Sequence, residues 1–311
     1  MDIEHVVPQA EAHQPDPIVI VDKNLLDTKR ELGEGTYGCC SLVHRLNPES
    51  QQLEELAMKQ AKIDGDVREQ AEAFLANEIN VLNRLDHRGV VALVAQVTDS
   101  NDTHFRAFLM EFLTIGSVFK YYTGQSGQQF IDYTRLLEHR IKFCQEIAEA
   151  IDYVHSTNIV HGDISCNNVV LTVVGGRPSP KLCDFGAAID TSAVLTIYQA
   201  VGTYLYCSPE VYCRQDYTRE SDVFSFGMLC YFIKYMRQPL LEGNTMDDVK
   251  RACNLMHGIV RNGRGREFSC HRPEIDETNA FDQLIKRCWH EEPRRRITMR
   301  EFLHEFANLP T

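Results

Sequence analysis

The 311-residue chain has one tryptophan, no Cys-x-x-Cys pair, no excess of positive charge and no long apolar run. Most of these absences exclude a class of protein. With 32 Lys and Arg against 44 Asp and Glu, the net charge of −12 leaves too little cation to neutralise a phosphate backbone, which argues against a general nucleic-acid binder. Two short basic clusters occur, Arg261, Arg264 and Arg266, and then Arg294, Arg295 and Arg296; the first reads as a solvated loop. The eleven cysteines are odd in number and scattered, several inside helix-like or strand-like segments. They read as reduced core thiols rather than as disulfides or zinc ligands. The longest apolar stretches, such as GVVALVAQV, fall far short of the ~20 residues that a membrane helix needs. The opening MDIEHVVPQAEAHQPDPIVIV places acids and prolines where a secretory signal needs a basic and then an apolar segment. A soluble, intracellular protein is expected, and its 43% hydrophobic content suffices for an ordinary core.

What is present begins with pattern. Residues 1 to about 17 are polar and broken by proline, which predicts a flexible arm. From Leu25 to Ala61 the chain reads as strands, with CCSLVHRL and LEELAMKQA flanking the turn NPESQQ. Asp66 to Leu85 reads as a helix with apolar Val67, Ala71, Phe74, Leu75, Ile79, Leu82 and Leu85. Glu78 falls inside that stripe. A charge there is costly to desolvate unless a basic group faces it. Beyond the strand FRAFLMEFL the chain turns helical, and TRLLEHRIKFCQEIAEAIDYVH repeats Leu137, Ile141, Cys144, Ile147, Ile151 and Val154 at three- and four-residue steps. Two short strands, NVVLTVV and PKLCDF, follow, joined by the turn-rich GGRPS. SDVFSFGMLCYFIKYM is apolar nearly all round, the mark of a central buried helix. A β-rich first third and a helical remainder predict an α+β protein of two lobes.

Chemistry enters with LGEGTYGCCSLV, which sets Gly33, Gly35 and Gly38 in G-x-G-x-x-G spacing. Alone this is a weak signal. A dinucleotide fold would start a helix inside the glycines, whereas β-type residues follow here, so a hairpin lid over phosphates fits better. Lys59 in LAMK would pass for a surface lysine except that Glu78 requires a cation. His161, Asp163 and Asn168 share one loop, and Asp184 follows in CDFG. Asp and Asn favour turns, which is the bland explanation. The functional one gives them separate work: Asp163 accepts a hydroxyl proton, while Asn168 and Asp184 bind Mg²⁺.

Taken in order, these motifs resemble the eukaryotic protein kinase superfamily. The likeness runs through Gly33, Gly35, Gly38, Lys59, Glu78, Asp163, Asn168, Asp184-Phe185-Gly186, Ser208-Pro209-Glu210, Asp222, Gly227 and Arg296. It spans Leu25 to Leu309, leaving residues 1–24 as the arm. The resemblance implies a bilobal fold, with an N-lobe over about 25–113 that is β-rich with one main helix. A larger, mostly helical C-lobe would cover about 114–309. It implies ATP and Mg²⁺ as cofactors and Ser/Thr of proteins as substrate, the latter from Gly202-Thr203 ahead of SPE. Carried over residue by residue, the nucleotide would meet Gly33, Glu34, Gly35, Gly38, Cys40, Ala57, Lys59, Glu78, Val170 and the hinge residues Glu111 and Leu113, with Met110 as gatekeeper. The catalytic set is Lys59, Asp163, Asn168 and Asp184, and the metal ligands are Asn168 and Asp184.

Three departures stand out: Cys40 for the usual Val, Gly162 for Arg and Ser165 for Lys. The His-Gly-Asp triplet is shared with small-molecule kinases, but those lack the peptide-presenting segment that this chain has from Asp184 to Glu210. The second alternative is a pseudokinase-like scaffold, which the retained Lys59, Glu78, Asp163, Asn168 and Asp184 argue against. Gly162 also removes the cation that phosphate on the activation loop would neutralise. The loop hydroxyls Thr191, Ser192, Thr196 and Tyr198 are therefore not expected to be an on-switch; packing and a Glu210–Arg296 pair are expected to order the loop.

Overall fold

In Leu53–Ala61, period-2 alternation decides what each side chain meets. Leu56 and Met58 point to one face and join a cluster with Val21, Val43, Ala95, Val97, Phe105, Ala107 and Leu109. Ala57, Lys59 and Ala61 point to the other, toward the main core. The strand lies in a six-stranded sheet of Ile20–Asp22 (β1), Asp27–Glu34 (β2), Gly38–Leu46 (β3), Leu53–Ala61 (β4), Leu93–Asp99 (β5) and Asp102–Glu111 (β6), in the order β1-β5-β6-β4-β3-β2. Every pairing is antiparallel except β1 with β5. The computed structural model describes residues 17–62, 67–125, 130–192, 203, 205–214, 216–239 and 272–309.

Helix α1 (Arg68–Leu82) packs on the sheet through Ala71, Leu75, Ile79 and Leu82. It is shorter than the expected Asp66–Leu85. Asp66 lies outside the described residues, and beyond Leu82 the chain tightens into i→i−3 turns, Arg84 N–H to Val81 and Leu85 N–H to Leu82. The flexible arm expected through residue 24 is corrected at its end. Ile20–Asp22 pairs with Gln96–Thr98, and Val21 is buried in the outer cluster, because an open edge strand offers unpaired backbone groups. Between β3 and β4, the Asn47 side chain accepts from the N–H groups of Glu49 (2.9 Å) and Ser50 (3.0 Å), which closes the turn that Asn-Pro signalled.

The second lobe follows β7 (Gly116–Ser117) and the short α2 (Val118–Tyr122) and α3 (Ile131–Arg135). Its long helix α4 (Leu137–Ser156) buries Phe143, Cys144, Ile147, Ala148, Ile151 and Val154, the periodic set. It starts at Leu137 rather than at Thr134, because extended backbone at Leu136 separates it from α3. After β8 (Ile159–Val160), the chain forms the hairpin β9 (Val169–Val174) and β10 (Arg177–Leu182). The turn is only Gly175-Gly176, both at positive φ (57° and 78°). Arg177 to Ser179, expected as loop, are strand: β10 is the sheet's edge, where Pro178 and Pro180 cost no ladder bond. Among the described residues the remaining strands and α-helices are β11 (Ile189–Asp190), α5 (Pro209–Arg214), α6 (Arg219–Tyr235), α7 (Ala280–Cys288) and α8 (Met299–Phe306). Helix α6 is buried nearly all round and opens with a capping box between Thr218 and Ser221. Gly227 lets α7 approach, since a Cβ there would sit 2.8 Å from Cys288 Cβ.

Candidate active site

The acid placed in an apolar stripe has its cation. Glu78, 1% exposed on α1, accepts from Lys59 Nζ at 2.6 Å and from the Phe185 N–H at 3.2 Å. Lys59 also donates to Asp184 Oδ1 at 2.8 Å, so one ammonium joins sheet, helix and the CDFG loop. Burial opposes the charge on Lys59, but Asp184 and Glu78 outweigh it and hold the ammonium above its usual range. Burial likewise opposes ionisation of Asp184, and Lys59 overrides it, leaving that carboxyl below the ordinary value. Glu78 is pushed up to about 7 by burial, with Lys59 offsetting part of the rise. Asp184 itself holds φ at 63°, a left-handed conformation that a non-glycine residue keeps only under constraint.

The loop NIVHGDISCNNVVL is fixed from below by Asp222, buried at the start of α6. Asp222 accepts from the N–H groups of His161 (2.8 Å) and Gly162 (2.9 Å) and contacts His155 Nε2 at 2.9 Å. Asp163 is bracketed: the Thr203 N–H reaches Oδ1 at 2.7 Å, and the Asn168 amide reaches Oδ2 at 2.7 Å and the Asp163 carbonyl at 2.8 Å. Asn168 thereby spends its amide nitrogen on Asp163 and keeps its carbonyl oxygen for another partner. The Cys183 N–H donates to the Asn168 carbonyl at 2.8 Å, so the two candidate metal ligands sit on directly bonded segments. At the far end, Arg296 grips Glu210 with two bonds of 2.5 and 2.9 Å, both side chains buried.

The Protein kinase domain profile matches residues 26–306. The chain belongs to the protein kinase family. Among similar proteins, a probable serine/threonine-protein kinase of Dictyostelium discoideum is 26% identical over 287 residues, covering 92% of this chain and 28% of that protein. A mitogen-activated protein kinase kinase kinase of Caenorhabditis briggsae is 25% identical over 282 residues, 90% of this chain and 46% of its own length. Wall-associated receptor kinase-like 5 of Arabidopsis thaliana is 28% identical over 287 residues, 88% of this chain and 36% of its own. The chain thus spans less than half of each of these relatives. No helix among its described residues is long and apolar enough to cross a membrane.

Three of the residues that the resemblance assigns to the nucleotide lie on three strands. Ala57 and Cys40 lie on β4 and β3, Cys40 opposite Lys59. Val170 lies on β9 opposite Ser117. Burial pushes the Cys40 thiol up to about 12, so it behaves as a neutral, apolar wall residue. Leu113 is 9% exposed, and no hydrogen bond among the described residues engages its backbone N–H or carbonyl. Glu111 is held sideways: its carboxylate takes Lys181 Nζ at 2.6 Å and the Ala92 N–H at 2.8 Å. In the glycine-rich loop the Gly35 N–H bonds the Gly38 carbonyl at 2.8 Å. Gly38 is obligatory by space, since a Cβ would lie 2.8 Å from the Gln60 carbonyl. The exposed Glu34 side chain pairs with Lys62 at 2.7 Å.

Several site residues gave no signal in the sequence. The Asn77 amide donates to the carbonyls of Gly186 (3.0 Å) and Ala188 (2.9 Å), tying α1 to the segment after Asp184. The only hint was a poor helix former inside a helix. Lys120 on α2 donates to the Leu32 carbonyl at 3.1 Å, across the mouth of the cleft. Ser165, where the family carries Lys, is fully buried, and among the described residues its Oγ has no hydrogen-bond partner. A buried hydroxyl left unbonded is a desolvation cost without return. Ser165→Ala is therefore expected to leave turnover within about twofold and to keep or slightly raise the melting temperature; a tenfold loss of turnover would show that the hydroxyl acts in the reaction.

Proposed function

We propose that this chain is a protein kinase that uses ATP and Mg²⁺ to phosphorylate Ser or Thr of protein substrates. The observation that carries the reading is Lys59 shared between Glu78 and Asp184 beside a bracketed Asp163. Both α1 and the CDFG loop meet Lys59 in this arrangement, which supports the reading. The residues suit both cofactors. The open backbone of Leu113 fits an adenine edge, the Lys59 ammonium fits the α- and β-phosphates, and the Asn168 side-chain Oδ1 with the Asp184 carboxylate are the hard oxygen donors that Mg²⁺ prefers. When bound, Mg²⁺ would supply positive charge against that building on the phosphates. Asp163 orients the acceptor hydroxyl and takes its proton, the Thr203 N–H holds its carboxylate, and the similar serine/threonine-protein kinase supports a Ser/Thr rather than a Tyr acceptor.

The test is incorporation of labelled phosphate into casein from Mg-ATP, with Asp163→Asn as control; equal incorporation by both proteins would defeat the reading. The pH profile adds a second check. Burial raises the Asp163 carboxyl above the ordinary 3.8; the Thr203 N–H offsets part of this and Asp184 adds to it. Asp163 works only when ionised, so activity is lost as pH falls through that raised value. The acid limb of kcat/KM is expected above 3.8. The scaffold alternative draws on Cys40, Gly162 and Ser165 and predicts nucleotide or partner binding without incorporation.

A further inference from the structure

Phe74 lies on α1 one turn before Glu78, so both side chains leave the same face of the helix. Its ring is 9% exposed and is held between two pieces of chain that are remote in sequence. On one side it stacks on Tyr37, at the tip of the glycine-rich loop, with centroids 4.4 Å apart and planes within 13°. On the other it meets Gly186: a Cβ built there would lie 3.2 Å from Phe74 Cδ1 and 3.6 Å from the Phe74 carbonyl. The backbone at the tip is tied separately, by the Lys62 N–H to the Tyr37 carbonyl at 3.0 Å. The loop therefore rests on α1 through this ring-on-ring contact, and that same ring bears on the residue two after Asp184.

We propose that Phe74 is a positioning residue, the seat on which the Tyr37 tip closes the glycine-rich loop, so that loop closure and the placement of Glu78 and Asp184 rise and fall together. The proposal rests on the kinase reading, because a closed loop has work to do only over phosphates. Physically, a stacked pair gives the loop one favoured height above the cleft, and Gly186 limits how far the Phe74 ring can turn away. A shift of α1 away from the cleft would carry off Glu78 and the seat at once. The loop would then open as Lys59 lost its partner.

Two measurements on Tyr37→Ala, Tyr37→Phe, Phe74→Leu and the Tyr37→Ala/Phe74→Leu double variant decide it. The first is hydrogen–deuterium exchange of the nucleotide-free protein. Exchange over residues 34–38 is expected to quicken about tenfold in Phe74→Leu, and exchange over 185–188 to quicken in Tyr37→Ala. Tyr37→Phe, which keeps the ring, should match wild type. The second is binding of a fluorescent ATP analogue, mant-ATP, with Mg²⁺. Each disruptive single variant should weaken binding about tenfold, the double variant no more than either single, and KM for ATP should rise more than kcat falls. Wild-type exchange and binding in the single variants, or fully additive losses in the double, would overturn the proposal. Should Phe74→Leu fail to fold, Tyr37→Ala against Tyr37→Phe decides alone, because Tyr37 is half-buried in a loop. If wild type binds no mant-ATP the kinase reading fails, while the exchange result still stands for or against the joint.

Discussion

Replacing Lys59 by Met is expected to lower kcat/KM for Mg-ATP by at least about a hundredfold and to cost stability in a pH-dependent way. The first effect follows, on the proposed function, from removing the cation that would face the phosphates. The second follows from what it leaves behind: Glu78, 1% exposed, with no cation beside it. Stranding one partner of a buried pair costs about 3–5 kcal/mol while the survivor stays charged. Glu78 can escape by protonating. Its carboxyl already stands at about 7 with Lys59 present, against 4.5 in an unfolded chain, and loss of the cation moves it higher still. Between those values the folded protein holds a proton that the unfolded chain releases, so this group's contribution to stability falls as pH rises. The melting-temperature deficit of Lys59→Met against wild type should therefore be small at pH 6 and larger at pH 8. Asp184→Ala should lose activity comparably but keep the Lys59–Glu78 pair, with a deficit nearly flat over the same range. Equal deficits for Lys59→Met at both pH values would show that Glu78 is not the stranded group. Wild-type rates in both folded variants would sink the catalytic assignment.

Glu78 also shows what kind of structural fact a sequence carries. Its place in a 3.6-residue apolar stripe is local, and the cost of burying a charge is general, so a cation partner could be inferred and Lys59 named. The pairing of Asp163 with Asn168 was legible for the same reason, because they lie five residues apart on one turn. Pairs without a local pattern were not. Arg84 reaches Asp190 over 106 residues, Lys181 reaches Glu111 over 70, and Lys120 reaches a backbone carbonyl 88 residues away. A long flexible cation on the surface can serve any of several acids, and only the folded topology selects one. Strand β1 was missed for a related reason: three residues carry too little periodicity to signal a strand, and their place is set by the open edge they meet. In β10, prolines suggested a loop where edge position made them harmless.

Phosphatase treatment is expected to leave activity within about threefold, whereas Gly162→Ala should lower it tenfold or more. Gly162 holds φ at 78°, and a Cβ there would lie 2.7 Å from the Ala187 carbonyl and 3.6 Å from Tyr217 Cδ1. The segment after Asp184 thus lies directly on the backbone of the catalytic loop, in space that a side chain, arginine included, would need. Any L-residue at this φ carries about 1–2 kcal/mol of conformational strain, and the 2.7 Å contact adds to it. Relief has to come from moving Ala187 or from breaking the Gly162 N–H bond to Asp222, and the second shifts Asp163, its neighbour. Where an arginine would await a phosphate, this chain has other fastenings. Ile189 pairs with Val160, the Thr191 N–H and hydroxyl both bond the Asn158 carbonyl at 2.8 and 2.9 Å, and Arg84 meets Asp190 at 2.5 Å. Burial opposes ionisation of Asp190, but bonds from Ser192 and Arg84 outweigh it and hold the carboxyl below its usual value. The Arg84–Asp190 pair adds a fixed carboxylate to the packing and the Glu210–Arg296 pair that the sequence led us to expect. Thr196 and Tyr198 lie outside the described residues, so the decisive variant removes all four hydroxyls, with Thr191, Ser192 and Thr196 as Ala and Tyr198 as Phe. It should turn over within about threefold of wild type. Gly162→Ala should melt several degrees lower and turn over slowly whether or not it is phosphorylated. A folded, dephosphorylated wild type that has lost tenfold or more would mean that a cation elsewhere does the work of the missing arginine.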